Sequence, residues 1–300
     1  MSSSYVSVDL STLAAPSIVE TLDFETIVAA MLADLQSRDT TFTALLESDP
    51  AYKVLEVCAY RELLMRQRVN DACNALLLAY ATGTNLDQLG ANSDLERLTV
   101  TAVDTTTVPP TAAVMETDTA FRLRIQQAPQ GYSCAGPTGA YQFFALSSSG
   151  DVRDVGVTTP LAGTVLVSVL SQTAPGTAPA ATLAAVTAAL TADSARPLCD
   201  TVVVQTAAIA EYSVSALLTI PSTLDAATII AAATTALQTY TVAQWKVNKG
   251  VAVALVSAAC AVTGVQNVAL QAPGITADIV ADPLTAPYCT GITITTQVAS

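Results

Sequence analysis

The side chains that most often do chemistry in enzymes are scarce here, and histidine is missing altogether from the 300 residues. Without histidine, Ser-His-Asp and Cys-His nucleophiles, a histidine general base and the usual zinc sites are excluded. The lysines Lys53, Lys246 and Lys249 lie outside any SxxK motif, and neither a GxxxxGK[ST] nor a GxGxxG phosphate loop is present. The sequence therefore does not predict nucleophilic, zinc or nucleotide chemistry.

Two pairs of carboxylates are the remaining catalytic candidates, since a glycosidase needs only two such groups. Glu56 and Glu62 stand among arginines on a predicted helix, where ion pairing is the expected role. Asp94 and Glu96 fall in a predicted loop beside Arg97. No Asp-rich calcium loop occurs either. We expect no enzyme activity, no cofactor and no metal site.

The six cysteines are dispersed and none forms a CxxC pair. Metal clusters need closely spaced ligands, and disulfide scaffolds are usually short and secreted. We therefore predict free, buried thiols.

Charge and hydropathy exclude two classes of partner. The formal net charge is -13 and the isoelectric point is about 4.2, so a nucleic-acid backbone would be repelled. The longest apolar run, residues 251–262, is shorter than the roughly 20 residues that a bilayer core requires. The N-terminus lacks the basic and apolar regions of a signal peptide. We expect no nucleic acid, no membrane span and an intracellular product.

Charged residues are unevenly distributed along the chain. They number 25 in residues 1–124 and only 12 in residues 125–300. Charge is depleted where surfaces become buried between partners, although a bias of the source genome toward Ala and Thr would have the same effect. The change predicts a boundary near residue 125.

The first part of the chain shows helical periodicity. An apolar stripe over residues 24–35 predicts one helix, which Thr21 or Asp23 could cap, and Asp49-Pro50 opens a longer one. The longer helix carries a heptad-like seam that only Glu62 breaks, and Gly83 is expected to end it. Such a seam needs a partner helix, from residues 24–36 or from another chain. The predicted interface residues are Phe24, Ile27, Met31, Leu35, Leu55, Met65, Val69 and Leu76.

The remainder predicts an α+β fold, with an N-terminal helical region followed by two small α+β domains. Residues 99–149 are expected to form a linker with a short helix at 117–127, because Pro109-Pro110 excludes helix. Beyond them, strands and helices alternate: residues 152–157 and 164–170 predict a hairpin, and residues 292–296 predict a last strand. The predicted divisions are 1–98 for the helical bundle region, 99–149 for the linker, 150–207 for the first α+β domain and 208–300 for the second.

Three stretches carry recognisable motifs, and the first includes a Leu-Asp-x-Leu-Gly segment, residues 86–90, that is expected to form a turn. The first runs from Ala79 to Gly90 and on to Arg97, the second from Glu116 to Tyr141, and the third from Val152 to Val202. Arg122 and Arg124 could bind an anion but are expected to be solvated or salt-bridged. The motif residues with predicted structural roles are Gly83, Leu86, Asp87, Leu89, Gly90, Arg97, Asp118, Arg122, Arg124, Gly136, Pro137, Tyr141, Arg196 and Pro197.

In this order and spacing, the motifs resemble the baseplate protein J family of contractile-tailed phages and related injection systems. The resemblance implies a structural wedge subunit of the virion's tail baseplate, made in the host cytoplasm. It also implies a second copy of the chain and a companion wedge protein as partners, in a six-fold ring around the central hub and spike, with a sheath initiator nearby. The alternative is a carbohydrate- or surface-binding adhesin-type structural protein, against which the 5% aromatic content argues.

Overall fold

The computed structural model describes residues 8–14, 16, 22–42, 45–133, 136–193 and 195–299. These residues form helices and three small sheets, which confirms the predicted α+β class. They divide into two compact units, one built from residues 7–96 and 118–125 and the other from residues 97–117 and 126–300. The division into four regions stays a prediction.

The first unit is helical. Its helices are α1 (Phe24–Arg38), α2 (Pro50–Ala75), α3 (Gly83–Ala91) and the first eight residues of α4 (Asp118–Gln127). The Asp23 carboxylate accepts the backbone N–H of Glu25 at 3.2 Å, which confirms Asp23 as a cap of α1. Thr21, the other predicted cap, lies outside the described residues.

Helices α1 and α2 pack against each other. Ile27 and Val28 of α1 are buried against Ala59 of α2, with Tyr52 and Leu63 beside them. The small Ala59 side chain is fully buried and lets the two helices approach closely. The apolar stripe over residues 24–35 is therefore used within the chain.

The sequence predicted that Gly83 ends α2, and this prediction was wrong. Helix α2 stops at Ala75, and a turn over residues 76–80 follows it. Gly83 begins α3 instead, with a φ of 53° that few other residues tolerate. The Leu-Asp-x-Leu-Gly segment, predicted as a turn, lies inside α3, where Leu86 is fully buried. Burial of that leucine favours the helix over the local turn.

Residues 99–115, predicted as a linker, form a hairpin in which β1 (Thr99–Thr101) pairs antiparallel with β2 (Val114–Met115). Near its tip, the Asp104 side chain accepts the backbone N–H of Thr106 at 2.8 Å. A further helix, α5 (Thr138–Ser148), lies where the sequence analysis expected linker. Its Tyr141 and Phe143 are buried, so packing stabilises a helix that its weak periodicity did not reveal.

The first sheet has the order β3-β4-β5. Strands β3 (Val152–Leu161) and β4 (Thr164–Ser171) form the predicted hairpin, and α6 (Ala180–Thr191) crosses over to β5 (Thr201–Thr206), which runs parallel to β4. Valines from β3 and β4 pack with Val186 and Leu190 of α6 to form one core.

The second sheet has the order β7-β6-β8. The central strand β6 (Ala208–Ile220) pairs antiparallel with β7 (Asn267–Leu270) and parallel with β8 (Thr285–Val298). Helices α7 (Ala226–Gln244) and α8 (Val253–Cys260) contribute Leu237, Val256 and Cys260 to the core beneath β6. Strand β8 is far longer than the predicted strand at 292–296.

The two sheets meet in a buried, hydrogen-bonded joint. Ala207, the single residue between β5 and β6, is buried with Leu170, Val247 and Ala286. Arg153 lies over the Trp245 ring with its guanidinium carbon 4.0 Å from the ring centroid, and its Nε donates to the Trp245 carbonyl at 3.0 Å. Stacking and hydrogen bonds together hold this joint.

Candidate functional site

The candidate site is the apolar seam of α2 and of Leu76, the C-cap residue that follows it, where three of the four predicted interface residues are exposed. The exposed fractions of Met65, Val69 and Leu76 are 70%, 57% and 75%. Cys58, on the same seam, is also exposed. Val54 and Val57 extend the exposed apolar surface toward the start of the helix, and the sequence analysis did not single them out. The seam is about 30 Å long at 1.5 Å per helical residue.

Helix α1 does not cover this seam. At about 100° per residue, Met65 lies about 120° around the α2 axis from Ala59, the centre of the α1 contact. Phe24, Ile27 and Met31 face that contact, so these three predicted interface residues are used inside the chain. Leu35 and Leu55 are half-buried. The sequence left two alternatives for the partner of the seam, a helix over residues 24–36 or a helix of another chain. The first alternative does not cover Met65, Val69 and Leu76.

Glu62, the one break in the predicted seam, belongs to a groove along α2. A guanidinium nitrogen of Arg66 lies 2.6 Å from Glu62 Oε1, and Met65, Val69 and Asn70 complete the lining. Glu56 pairs with Lys53 at 2.9 Å rather than with an arginine. Both glutamates thus have the ion-pairing role that the sequence predicted.

The first group of motif residues holds α4 against the end of α2 and the start of α3. Arg122 donates to the backbone carbonyls of Leu78 and Ala81, both at 2.7 Å. The Asp118 carboxylate accepts the Gly83 N–H at 3.1 Å. The Gly83 N–H is one of the first in α3, which lack intrahelical partners, whereas the Leu78 and Ala81 carbonyls lie in the segment between α2 and α3.

Arg124 and Gly90 belong to the same group. Arg124 is only 3% exposed, donates to the carbonyl of Glu96 and lies near the Phe121 ring. A Cβ on Gly90 would stand 2.3 Å from Phe121, so glycine is required for this close approach. Both Arg122 and Arg124 donate to backbone carbonyls, which are contacts that the sequence did not predict. Asp87 and Leu89 are half-buried on α3.

Arg97 has a comparable role in the other unit. Its Nη1 donates to the Glu116 carbonyl at 2.8 Å. The Glu116 N–H in turn donates a hydrogen bond to the Leu98 carbonyl across the base of the hairpin. Asp94, with a φ of 55°, and Glu96 are exposed.

The second group of motif residues converges on Asp200, which the sequence analysis did not select. The Tyr141 hydroxyl donates to Asp200 Oδ2 at 2.7 Å, and Arg196 Nη1 donates to the Asp200 carbonyl at 2.9 Å. Burial and the nearby carboxylate raise the pKa of Tyr141. Gly136, with a φ of 83°, packs close to Pro197 and Asp200, and Pro137 caps α5. The Arg-Pro-x-x-Asp spacing of residues 196–200 was the sequence signal that could have identified Asp200.

A fully exposed leucine stands on the loop that Asp200 organises. Leu198 is 99% exposed, and the neighbouring Cys199 is exposed as well. The hydrogen bonds of Arg196 and Tyr141 fix the two ends of this short loop. The loop therefore presents Leu198 to solvent on a backbone that is held at both ends.

The cysteines are free where the structure describes them, but the prediction that they are buried was wrong for two of them. Cys58 and Cys199 are exposed, Cys73 and Cys289 are intermediate, and Cys260 is buried in the core under β6. Cys134 lies outside the described residues. Burial raises the pKa of the Cys260 thiol to about 11.

Metal sites and membrane-spanning helices are both missing from the described residues. Across residues 8–14, 16, 22–42, 45–133, 136–193 and 195–299, no three Cys, Asp or Glu side chains are grouped so as to hold a metal ion. In the same described ranges, none of the helices combines the length and apolar character needed to cross a bilayer.

Comparison with known proteins gives the family. Residues 47–104, which include α2, α3 and the start of the hairpin, match the Baseplate J-like N-terminal domain. The chain is 45% identical over 296 residues to Baseplate protein J of Escherichia phage P2, a match that covers 96% of this chain and 97% of that protein. Identity at this level over nearly the whole length shows common descent, and the chain belongs to the baseplate protein J family.

Proposed function

We propose that this chain is a structural wedge subunit of the tail baseplate of a contractile injection machine, not an enzyme. Six wedges would form a ring around the central hub and spike, located in the virion tail. Family membership supports the baseplate role in general terms. We further propose that the ring contacts the central hub and couples rearrangement of the baseplate to contraction of the sheath.

The observation that carries the proposal is the exposed seam of α2. Burial of a Met, Val or Leu side chain is worth about 1.5–3 kcal/mol, so a row of them left in water favours association. The seam belongs to the region that matches the family model, residues 47–104. We propose that a helix of the companion wedge protein covers Met65, Val69 and Leu76, which completes a bundle with α1 and α2.

The later α+β region would make the ring contacts. Its paucity of charge and the exposed Leu198 suit surfaces that become buried between subunits. A second copy of this chain and a sheath initiator are the proposed neighbours there. The buried joint around Trp245 argues that the two sheets move together. Rearrangement during contraction is therefore proposed at the helical bundle rather than at this joint.

The test is to place charge in the seam. Met65→Glu combined with Val69→Glu should abolish co-purification with the companion wedge protein and the assembly of wedges, because each carboxylate would have to be desolvated. Gln67→Glu adds a negative charge to an exposed face of the same helix and serves as the control. Circular dichroism checks that both variants keep their helices.

Three outcomes are informative. Loss of assembly in the double variant alone supports the proposal. Normal wedge assembly by the double variant rejects the seam as the companion's binding site. A natively isolated chain that stays monomeric with every tail component, and binds glycan instead, would favour the adhesin alternative and reject the wedge.

A further inference from the structure

The outer edge of β8 is an extended hydrogen-bonding surface. In the parallel β6–β8 pair, the Ala299 N–H donates to the Ile220 carbonyl at 2.8 Å, and Thr219 stands opposite Gln297. This register turns the N–H and C=O groups of the odd-numbered residues toward β6. Those of the even-numbered residues must point the other way. The outward-pointing groups belong to Ile292, Ile294, Thr296 and Val298.

Among the described residues, no strand pairs with that edge. The sheet order β7-β6-β8 leaves β8 at its border, and a bulge at Thr290 separates a covered first half from an exposed second half. Beyond the bulge, residues 291–297 alternate regularly between exposed and half-buried, and Val298 is exposed like Gln297 before it. The result is a regular strand with solvent on one side.

This edge lacks the devices that normally prevent strands from associating. Natural edge strands carry Lys, other inward-pointing charges or Pro, or they are very short. From Thr285 to Val298 there is no charged residue, and Pro287 lies in the covered half before the bulge. Thr, Ile and Val, which dominate the exposed half, all favour strands. A further strand is the expected cover.

Charge argues that the further strand comes from a second copy of this chain. Two copies carry formal charges of -13 each and repel, so they can meet closely only where charge is absent. Beside residues 292–298 the outer face carries only neutral side chains: Ser213, Ser215, Leu217 and Thr219 on β6, and Thr293, Thr295 and Gln297 on β8. Glu211 of β6 lies on the same face but pairs with Tyr288, before the bulge. A strongly charged partner would find no complementary group here.

Symmetry then determines the pairing. Identical strands related by a two-fold axis run antiparallel, and the even-numbered residues of both copies must face each other to bond. Full overlap of residues 292–298 puts the axis at Thr295. Ile292 then lies opposite Val298 and Ile294 opposite Thr296, while Thr293 meets Gln297. Thr295 meets its own copy, and cross-strand Thr–Thr pairs are favourable.

We propose that β8 pairs antiparallel with β8 of a second copy about an axis at Thr295, which joins the two three-stranded sheets into one of six strands. The inference deepens the proposed association of two copies in a wedge and rests on it. It assigns that association to the C-terminal sheet rather than to the α2 seam.

Cysteine cross-linking in the full-length chain tests the register. In a Cys58→Ser, Cys134→Ser, Cys199→Ser background, which removes Cys134 and the two thiols that are exposed among the described residues, Thr295→Cys should form a disulfide-linked dimer under mild oxidation. Residues opposite each other at a position without hydrogen bonds are about 4.5 Å apart at Cα, within the range that a disulfide spans. Thr293→Cys alone should not form the dimer, whereas Thr293→Cys with Gln297→Cys should.

A charge variant tests the same edge without a covalent cross-link. Thr295→Lys places two like charges opposite each other and should weaken self-association about tenfold or more by analytical ultracentrifugation. Asn267→Lys is the matched control, since it adds the same charge to the exposed start of β7 at the opposite edge. It should leave self-association unchanged.

The outcomes separate this inference from the proposed function. Wedges with two copies that form normally with Thr295→Lys, or a Thr295→Cys cross-link to a different protein, overturn the β8 pairing and leave the wedge role standing. A chain that joins neither itself nor any tail component overturns the wedge role as well. Equal loss of self-association by Thr295→Lys and Asn267→Lys also counts against the β8 edge.

Discussion

At the scale of single residues, the motif side chains of this protein act on its own backbone. Arg122 and Arg124 donate to carbonyls, and Asp118 accepts an N–H. A charged group gains about 1.5–3 kcal/mol from such a hydrogen bond and loses water in return. These residues therefore stabilise the segments that connect the helices.

Asp154 gives the residue-scale prediction. Burial raises the pKa of its carboxyl above the ordinary value of 3.8, despite the N–H that Val247 donates at 2.8 Å. Between 3.8 and the raised pKa, the folded chain binds more protons than the unfolded chain. The contribution of Asp154 to the free energy of unfolding therefore falls as pH rises through that window and is constant above it.

Urea unfolding of the protein and of Asp154→Asn across this pH range measures the effect. The stability of the unmodified chain relative to the variant should rise as the pH is lowered through the window. Asp193→Asn, which changes an exposed carboxyl, is the control. A difference between the protein and Asp154→Asn that does not vary with pH would contradict the assignment.

At the scale of elements, α2 has two apolar faces with different fates. One face contains Ala59 and Leu63 and packs on α1, and the other contains Met65 and Val69 and stays exposed. A helix of 26 residues with two such faces suits the centre of a bundle more than its surface. Arg122 of α4 stabilises the turn after α2 by donating hydrogen bonds to the Leu78 and Ala81 carbonyls.

Arg122→Met tests that link between elements. The variant keeps most of the side-chain volume but loses both carbonyl hydrogen bonds, so the free energy of unfolding should fall by about 2 kcal/mol or more. Amide hydrogen exchange should also quicken in residues 76–82. Arg61→Met, at an exposed position of α2, should change stability by less than about 0.5 kcal/mol. Equal losses in the two variants would show that the carbonyl contacts contribute little.

At the scale of the whole molecule, the helical unit is discontinuous in sequence. It takes residues 118–125 from beyond the hairpin, so a cut after residue 98 does not separate two independent parts. Such a cut would separate Phe121 from Gly90 and Arg124 from the Glu96 carbonyl. It would also separate Arg122 from the Leu78 and Ala81 carbonyls.

Limited trypsin digestion tests this arrangement. In the full-length chain, cleavage after Arg122 and Arg124 should be slow, because both side chains are engaged and Arg124 is buried. In a fragment of residues 99–300, cleavage at these two sites should be at least about tenfold faster. Cleavage after Arg153, which is held at the Trp245 joint, should be equally slow in both. Equal rates at all sites would mean that α4 is ordered without the helices before it.

The local features of this protein followed from its sequence, because they depend on neighbours within a few residues. Period 3.6 located α1 and α2, alternation located the β3–β4 hairpin, and the missing histidine excluded most catalytic schemes. The motifs from Gly83 to Pro197 identified the family, which the comparison then confirmed. Gly83 was misplaced and α5 was missed, since long-range burial of Leu86 and Tyr141 decided both.

Only the tertiary structure decided which apolar face of α2 remains uncovered and what the motif residues contact. The seam pattern is the same whether α1 or another chain covers it, and only packing distinguishes the two. Tyr141 and Asp200 are 59 positions apart and meet because α5 packs beside the loop before β5. Periodicity reports the geometry of one element, whereas the partner of a face or of a hydrogen bond depends on how distant elements close around it.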